Sequence, residues 1–518
     1  MTSLVSALFP NIASTERLIQ ILTTIPWLDG ALYVTIFLIT WVVYQLAILP
    51  FLSPLRKVPG LPYNPIVGNM MYMFSGEGME SHIKMVNQYG PYVRYYFLYG
   101  KERLLIADPE GMRHVMVTNS KNYERPKNKL KYMIMLLMNG LVTSGGARHA
   151  VHKKLMFPAF NNKSINGMFA KFHRQTGRLV NYWKKLSAGD FIVHVHNDLT
   201  RITLDVIGET AFGFNFDSLE HPDFELGKVF HELVTGIPLS FKLLIPFYAD
   251  LPSPTNKRFK KNVEFVRNFV QNIIDSKKIM LESGSDRENV TNDVLGMMMV
   301  ARDEETGEGM SDGELTDHVV TLMMAGHETT AVAIAWCLLM LAKNENVQEK
   351  LRNEVETFHL RPDEIHSIEV LDSLEYCDCV VKETLRLYPP IPFTLRKSLK
   401  ADVIAGYKIP AGTLMMLSMG AMMRRADLYE DPEKFIPERF FGISGPERSL
   451  NSFLPFITGP RMCLGYKFAL VEIKLTIMAL ISNFKFETLP EEKDYKRKAG
   501  LTMRPDPTLR LKLIQIIK

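Results

Sequence analysis

The chain is 518 residues long, with 47% apolar and 23% charged residues, a composition that excludes an extended disordered protein, a collagen-like fibre and a multi-span membrane protein. Sixty-one basic against fifty-six acidic residues leave a net charge of +5, too small and too scattered to point to nucleic acid. Four cysteines, Cys337, Cys377, Cys379 and Cys463, form neither a disulfide framework nor a pair of zinc knuckles, so the bulk of the chain is expected in a reducing compartment.

Residues 1–50 read as an N-terminal segment with a membrane anchor. Nineteen residues from Ala31 to Leu49 carry no charge, and as a helix they would span roughly 28 Å, close to the hydrocarbon thickness of a bilayer. Neither a basic start nor a small-residue cleavage site marks a signal peptide. Before this span Lys/Arg is limited to Arg17, whereas Arg56 and Lys57 follow it directly; the positive-inside bias then places the body of the chain in the cytosol. Pro54, Pro59, Pro62 and Pro65 make residues 51–69 a stiff, non-helical stalk.

Residues 70–518 show no linker or repeat and read as one large unit. Short alternating stretches at Tyr92–Leu98, Arg103–Ala107 and Asp402–Ile409 predict a little sheet near the two ends, and 3.6-residue periodicity dominates between them. The fold class is therefore mainly α with a small β region. Leu315 to Lys343 contains no proline and one glycine, which predicts a helix of about 40 Å through the centre of the protein.

Three short motifs lie on this frame. Ala325-Gly-His-Glu-Thr-Thr330 begins like a zinc-protease helix but lacks the second histidine. Its glycine and paired threonines favour a local bulge, although a threonine hydroxyl can also simply back-bond to the preceding turn. Glu383-Thr-Leu-Arg386 puts opposite charges at i and i+3 on one helix face, an arrangement common on ordinary surfaces. Phe456-Ile-Thr-Gly-Pro-Arg461-Met-Cys463-Leu-Gly465 sets a cysteine between glycines, two residues after an arginine and just ahead of a helical stretch, Tyr466 to Ile481. A lone cysteine is most often a small buried apolar residue. Here the approaching helix N-terminus and the nearby cation both favour a thiolate, the state that ligates iron.

The last motif resembles the haem-ligand loop of the cytochrome P450 family, F-x-x-G-x-R-x-C-x-G, with every fixed position filled. The resemblance runs from the proline stalk to the end of the chain and implies the fold of that family. It makes Cys463 the thiolate ligand of the iron of haem b (iron protoporphyrin IX), with Phe456 packed beside the sulfur and Arg461 paired with a propionate. Arg396 matches a second propionate arginine. Ala325–Thr330 is similar to the oxygen-activation motif, in which Thr329 hydrogen-bonds dioxygen and Glu328 relays protons. Pro437-Glu-Arg-Phe440 matches the stretch whose arginine, here Arg439, closes a structural cluster with Glu383 and Arg386.

One region departs from the pattern: where most members carry W-x-x-x-R, this chain has His149 and Lys153. Both can donate to a carboxylate, so a propionate-binding role is still implied, but lysine lacks the fork of arginine. His152, Lys153 and Lys154 form a small basic patch, read either as a solvated face or as a docking surface for an acidic reductase. The resemblance implies a membrane-anchored monooxygenase of the endoplasmic reticulum that uses O2. Its electrons would come from NADPH through a separate reductase, with cytochrome b5 left open as a second donor. Residues 132–137, 322–325, 391–394 and 501–503 would line an apolar pocket for a lipophilic substrate. Two alternatives stay open at this stage: a reductase-independent isomerase or dehydratase of the same family, and a membrane-tethered haem- or lipid-binding protein without turnover.

Overall fold

The structure is a computed structural model, and it describes residues 26–126, 135–186, 191–221, 223–235, 250–283, 290–357, 367–442, 452–492 and 494–516. Most of residues 1–26 and residues 132–134 of the expected pocket wall lie outside these.

Helix α1 (Pro26–Val43) continues through a wider turn at Tyr44–Ile48 into Leu49–Leu52. Its apolar side chains, among them Tyr33, Phe37, Ile39 and Trp41, are exposed. The proline-rich stretch that follows is not a free stalk. Pro54–Lys57 winds into a 3-10 turn capped by the Ser53 hydroxyl, and Leu55, Val58 and Leu61 are buried against the first sheet. Backbone bonds from Leu61 N to Arg94 O (3.0 Å) and from Arg94 N to Pro59 O (2.8 Å) lay the segment along a strand edge. Apolar residues interspersed with the prolines explain the difference: proline sets local stiffness, but leucine and valine decide where the segment rests.

Strands β1 (Tyr92–Tyr96) and β2 (Glu102–Ile106) form the predicted hairpin. With β3 (Tyr123–Glu124) and two later strands they build a five-stranded sheet over the smaller of two apolar cores. Helix α2 (Gly146–Met156) precedes the long amphipathic α3 (Asn162–Leu186), then β4 (Phe191–His194), α4 (Val195–Ile207) and α5 (Pro254–Glu282). The predicted central helix is α6 (Asp312–Lys343), opened by a capping box: the Ser311 hydroxyl accepts from Glu314 N, and the Glu314 carboxylate accepts from Ser311 N at 3.0 Å. Among the described residues α6 is the one helix both long and apolar enough to cross a bilayer, but 78% of its most apolar window is buried in the protein. It is a core helix, packed against α4, α5 and the helix that follows the cysteine loop. It runs unbroken through Gly326, so the bulge favoured from the sequence is not formed. A Cβ on Gly326 would approach Ile207 Cδ1 to 3.0 Å, so the glycine serves close packing with α4.

Helix α7 (Glu375–Leu387) leads into β5 (Thr394–Ser398), the hairpin β6 (Asp402–Ile404)–β7 (Tyr407–Ile409), and β8 (Leu414–Leu417), which completes the first sheet in the order β1-β2-β8-β5-β3. Helix α8 (Tyr466–Ile481), β9 (Phe484–Thr488), the hairpin β10 (Lys496–Ala499)–β11 (Met503–Asp506) and β12 (Arg510–Gln515) close the chain. Strands β4, β12 and β9 make a second, three-stranded sheet.

The end of α7 carries a buried charge cluster. Arg386 and Glu383 are both fully buried and bond through two contacts, Nε to Oε2 at 2.7 Å and Nη2 to Oε1 at 2.9 Å. Arg439 Nε reaches Glu383 Oε1 at 3.1 Å, and Ile436 N donates to the same oxygen at 2.9 Å. Arg386 spends its remaining donors on the carbonyls of Met423, Pro432 and Lys434. Removing one member strands the others in a region without water. Glu383→Ala is expected to cost about 3–5 kcal/mol of folding stability, read as a fall in the urea midpoint; a midpoint within error of the parent would show the cluster to be dispensable.

Candidate active site

Cys463 sits on a loop with unusual backbone. Ile457, a β-branched residue, has φ 53°, and Gly459 has φ 75°; the first is a strained conformation of the kind that functional loops retain. A Cβ on Gly459 would stand 2.0 Å from Met116 O, so only glycine fits. A single 3-10 turn (Gly459–Arg461) and a bond from Cys463 N to Phe456 O at 3.0 Å close the loop before α8 begins. The Phe456 ring lies 6.2 Å from that of Tyr466.

Of the four cysteines, three are buried and Cys463 alone is accessible. Burial pushes the thiol pKa up, and the Gly465 N–H and the Lys153 ammonium pull it down. Those two groups favour the anion once a positive partner meets the sulfur.

Four nitrogenous side chains converge beside this loop. Arg396 on β5 is 3% exposed and bonds the Thr394 hydroxyl (2.9 Å) and Leu395 O (2.8 Å). Arg461 makes one long hydrogen bond, 3.5 Å to Leu141 O. Arg125 bonds Val142 O, and its Nε is buried with no partner. His149 on α2 is buried. Burial and then the Arg396 and Arg461 charges hold Arg125 down to about 9. Burial and Arg461 hold Arg396 down to about 10. His149 is held down to about 3 by burial, Arg461, Lys153 and Arg125, in that order, so it is a neutral imidazole. Among the described residues, no carboxylate is among the groups acting on these four. A guanidinium nitrogen orphaned in the interior, amid mutually repelling cations, suits a ligand with at least two negative charges; the two propionates of haem satisfy that requirement. Arg125 escaped the sequence reading, for an isolated arginine before Pro126 has no motif or periodicity to mark it.

Lys153, whose charge bears on His149, also faces the cysteine loop. Its ammonium donates to Pro460 O (2.8 Å) and Met462 O (3.1 Å), on the cysteine loop itself. The basic patch of 152–154 also dissolves. His152 is buried, with Nδ1 2.8 Å from His318 Nε2 and Nε2 3.2 Å from Glu314, while Lys154 faces Glu304 at 3.0 Å and Asp303 at 3.9 Å. Successive residues of a helix point 100° apart, so neighbours in sequence are not one surface.

On α6, Thr329 is half-buried and its hydroxyl donates to Ala325 O at 2.7 Å, the back-bonded state. Glu328 is buried and accepts from the Thr502 hydroxyl at 3.0 Å. Thr502 lies in the turn between β10 and β11, and that turn is pinned at Met503, whose N donates to Pro390 O (2.9 Å) and whose O accepts from Trp336 Nε1 (2.7 Å). A polar surface pocket of about 430 Å³, lined by Arg148, Arg267, Glu314 and Asp317 among others, opens at the N-terminal end of α6. It includes neither Cys463 nor Thr329.

An accessible cysteine on a fixed loop beside a nest of cations is the arrangement that a haem-thiolate protein requires. Comparison with known sequences places it further: the sequence model of the family described as Cytochrome P450 matches residues 58–513. Cytochrome P450 monooxygenase 128 of Postia placenta is 30% identical over 527 residues, covering 93% of this chain and 94% of that protein. Cytochrome P450 4ae1 of Drosophila melanogaster is 29% identical (89% and 94% covered), and Cytochrome P450 72A15 of Arabidopsis thaliana 28% (87% and 90%). The chain belongs to the cytochrome P450 family, and its cofactor is haem.

The depressed His149 gives the folded protein an acid limb of instability. Between about 6.5, the ordinary histidine value, and about 3, the unfolded chain takes up a proton that the folded chain refuses. Stability is therefore present above 6.5 and declines as pH falls through this window. His149→Phe is expected to flatten that decline in urea melts recorded from pH 7 to 4; an unchanged slope would mean that His149 is not held neutral.

Proposed function

We infer that this haem-thiolate monooxygenase oxidises a lipophilic small molecule at the endoplasmic reticulum membrane. The reaction is RH + O2 + NADPH + H+ → ROH + H2O + NADP+, with electrons delivered by a separate NADPH-dependent flavoprotein reductase. The carrying observation is the accessible Cys463 on its strained loop, next to cations that have no acidic partner among the described residues. When haem b is bound through Cys463, it supplies the activation of dioxygen for insertion of one oxygen atom.

The chain's own residues bind, orient and move protons. Arg125, Arg396 and Arg461 offer charged donors to the propionates, and neutral His149 offers one N–H. Glu328, buried and bonded by Thr502, would pass protons along α6 toward Thr329. The Thr329 hydroxyl proton rests on Ala325 O; released from that carbonyl, the hydroxyl can accept one hydrogen bond and donate another toward the haem site. Glu383, Arg386 and Arg439 fix the scaffold rather than touch substrate. The apolar residues of α1, exposed to the surroundings and continuous in helix to Leu52, support a single-pass anchor followed by Arg56 and Lys57 on the cytosolic side.

The reduced carbon monoxide difference spectrum is expected to show the strongly red-shifted Soret band of thiolate ligation in the parent and to lose it in Cys463→Ser. A histidine-type band in the folded parent would overturn the assignment. Thr329→Ala is expected to keep that band while the share of NADPH electrons recovered as hydrogen peroxide rises several-fold; unchanged coupling would remove Thr329 from proton delivery.

A further inference from the structure

The ammonium of Lys153 is the one side-chain cation among the described residues that bonds directly to the backbone of the cysteine loop. It donates to the carbonyls of residues 460 and 462, which bracket Arg461 and immediately precede Cys463. The second of these carbonyls belongs to the peptide group whose N–H is Cys463 N, itself donating to Phe456 O at 3.0 Å. A cation on the oxygen of a peptide group strengthens its N–H as a donor, so the ammonium and the Phe456 bond reinforce each other in closing the loop. The same ammonium, bonded to the carbonyl of the residue directly before Cys463, is held by that bond in the neighbourhood of the sulfur.

We propose that Lys153 is a positioning residue for Cys463: it clamps the loop through two carbonyls and sets, by its charge, how strongly the thiolate donates electrons to the iron. This rests on the haem-thiolate reading above. A fixed positive charge beside a thiolate makes the sulfur a weaker donor and favours the more negative, reduced state of the centre. Lysine suits the task in a way that a propionate-bound arginine would not, for a compact ammonium on a flexible stem can sit between two carbonyls that a planar fork does not match. The propionates are left to Arg125, His149, Arg396 and Arg461, so the departure from W-x-x-x-R is a division of labour between α2 and the residue before Pro126.

The test uses the full-length holoprotein, without substrate. Haem content is measured with pyridine, and the midpoint potential by anaerobic titration against redox dyes, in the parent, Lys153→Met and Lys153→Arg. Lys153→Met is expected to keep its haem and to be about tenfold less reduced at a fixed potential, a shift of about 59 mV to the negative side for one electron. Lys153→Arg, which retains the charge, is expected to recover most of that shift. Loss of haem from Lys153→Met, with an unchanged potential in the fraction that keeps it, would overturn the proposal and return Lys153 to the propionates. Unchanged haem and unchanged potential would overturn it as well. Should Lys153→Met fail to fold, Lys153→Gln supplies the neutral variant, with the same fall expected and an unchanged potential again fatal. Failure of the underlying reading is distinct, because the parent itself would then lack the thiolate carbon monoxide band.

Discussion

Arg125, Arg396 and Arg461 bring three guanidinium groups into one part-buried region whose titratable neighbours, among the described residues, include no carboxylate. Like charges at such an effective dielectric repel by up to roughly 4 kcal/mol per close pair, so the arrangement must be imposed by its anchors. Those anchors are backbone carbonyls and one hydroxyl: Val142 for Arg125, Leu141 for Arg461, Leu395 and Thr394 for Arg396. The anchors come from two separate stretches of chain and the arginines from three, and only the folded protein holds them together. A ligand that binds this nest but not the unfolded chain adds its full binding free energy to stability. On the proposed reading, in which haem propionates meet these arginines, binding of the cofactor would relieve the repulsion that makes the empty arrangement costly.

The buried Glu383–Arg386–Arg439 cluster serves that nest at one remove. Arg386 ties α7 to the carbonyls of 423, 432 and 434, so it fixes the irregular chain between β8 and the cysteine loop. Beyond the other side of the same helix end comes β5 with Arg396. One buried carboxylate therefore governs where two distant parts of the site arrive. Replacing such clusters with apolar residues is often neutral or stabilising in other proteins. The reason for charge here is direction: a guanidinium can address three carbonyls in fixed geometry, and a leucine cannot.

The parts of this protein legible in the sequence are those written in local periodicity or in short-range spacing. Helix α8 begins and ends at the residues where the apolar pattern does, Tyr466 and Ile481; the predicted strands at 92–98, 103–107 and 402–409 are found within a residue or two. The cysteine loop was legible because its chemistry requires glycine, arginine and cysteine at fixed separations. What stayed hidden depends on contacts between remote segments. Thr502 meets Glu328 across 174 residues and His152 meets His318 across 166, and neither pair carries a local pattern. The same holds for the proline-rich stretch, whose stiffness was legible but whose resting place on β1 was set by three buried side chains far from their partners in sequence. The missing bulge at Gly326 has a local cause: both threonines satisfy their hydroxyls on carbonyls four residues back, which α-helical geometry allows without any break.

Helix α2 shows how eleven residues can join both faces of such a site. His149 turns toward the cations, Lys153 toward the cysteine loop, and His152 toward α6, the helix of Glu328 and Thr329. The third contact also fixes protons. If His152 Nε2 donates to the Glu314 carboxylate, its Nδ1 must accept, so His318 Nε2 must be the donor across the 2.8 Å contact. His318 then keeps a bare Nδ1, and that atom is indeed buried without a partner. Burial and the neighbouring His152 hold His318 down to about 3, so His318 stays neutral throughout the physiological range, and its contact with His152 ties α2 to α6. Helix α2, which carries the Lys153 bonds to the cysteine loop, is thereby held in register with α6.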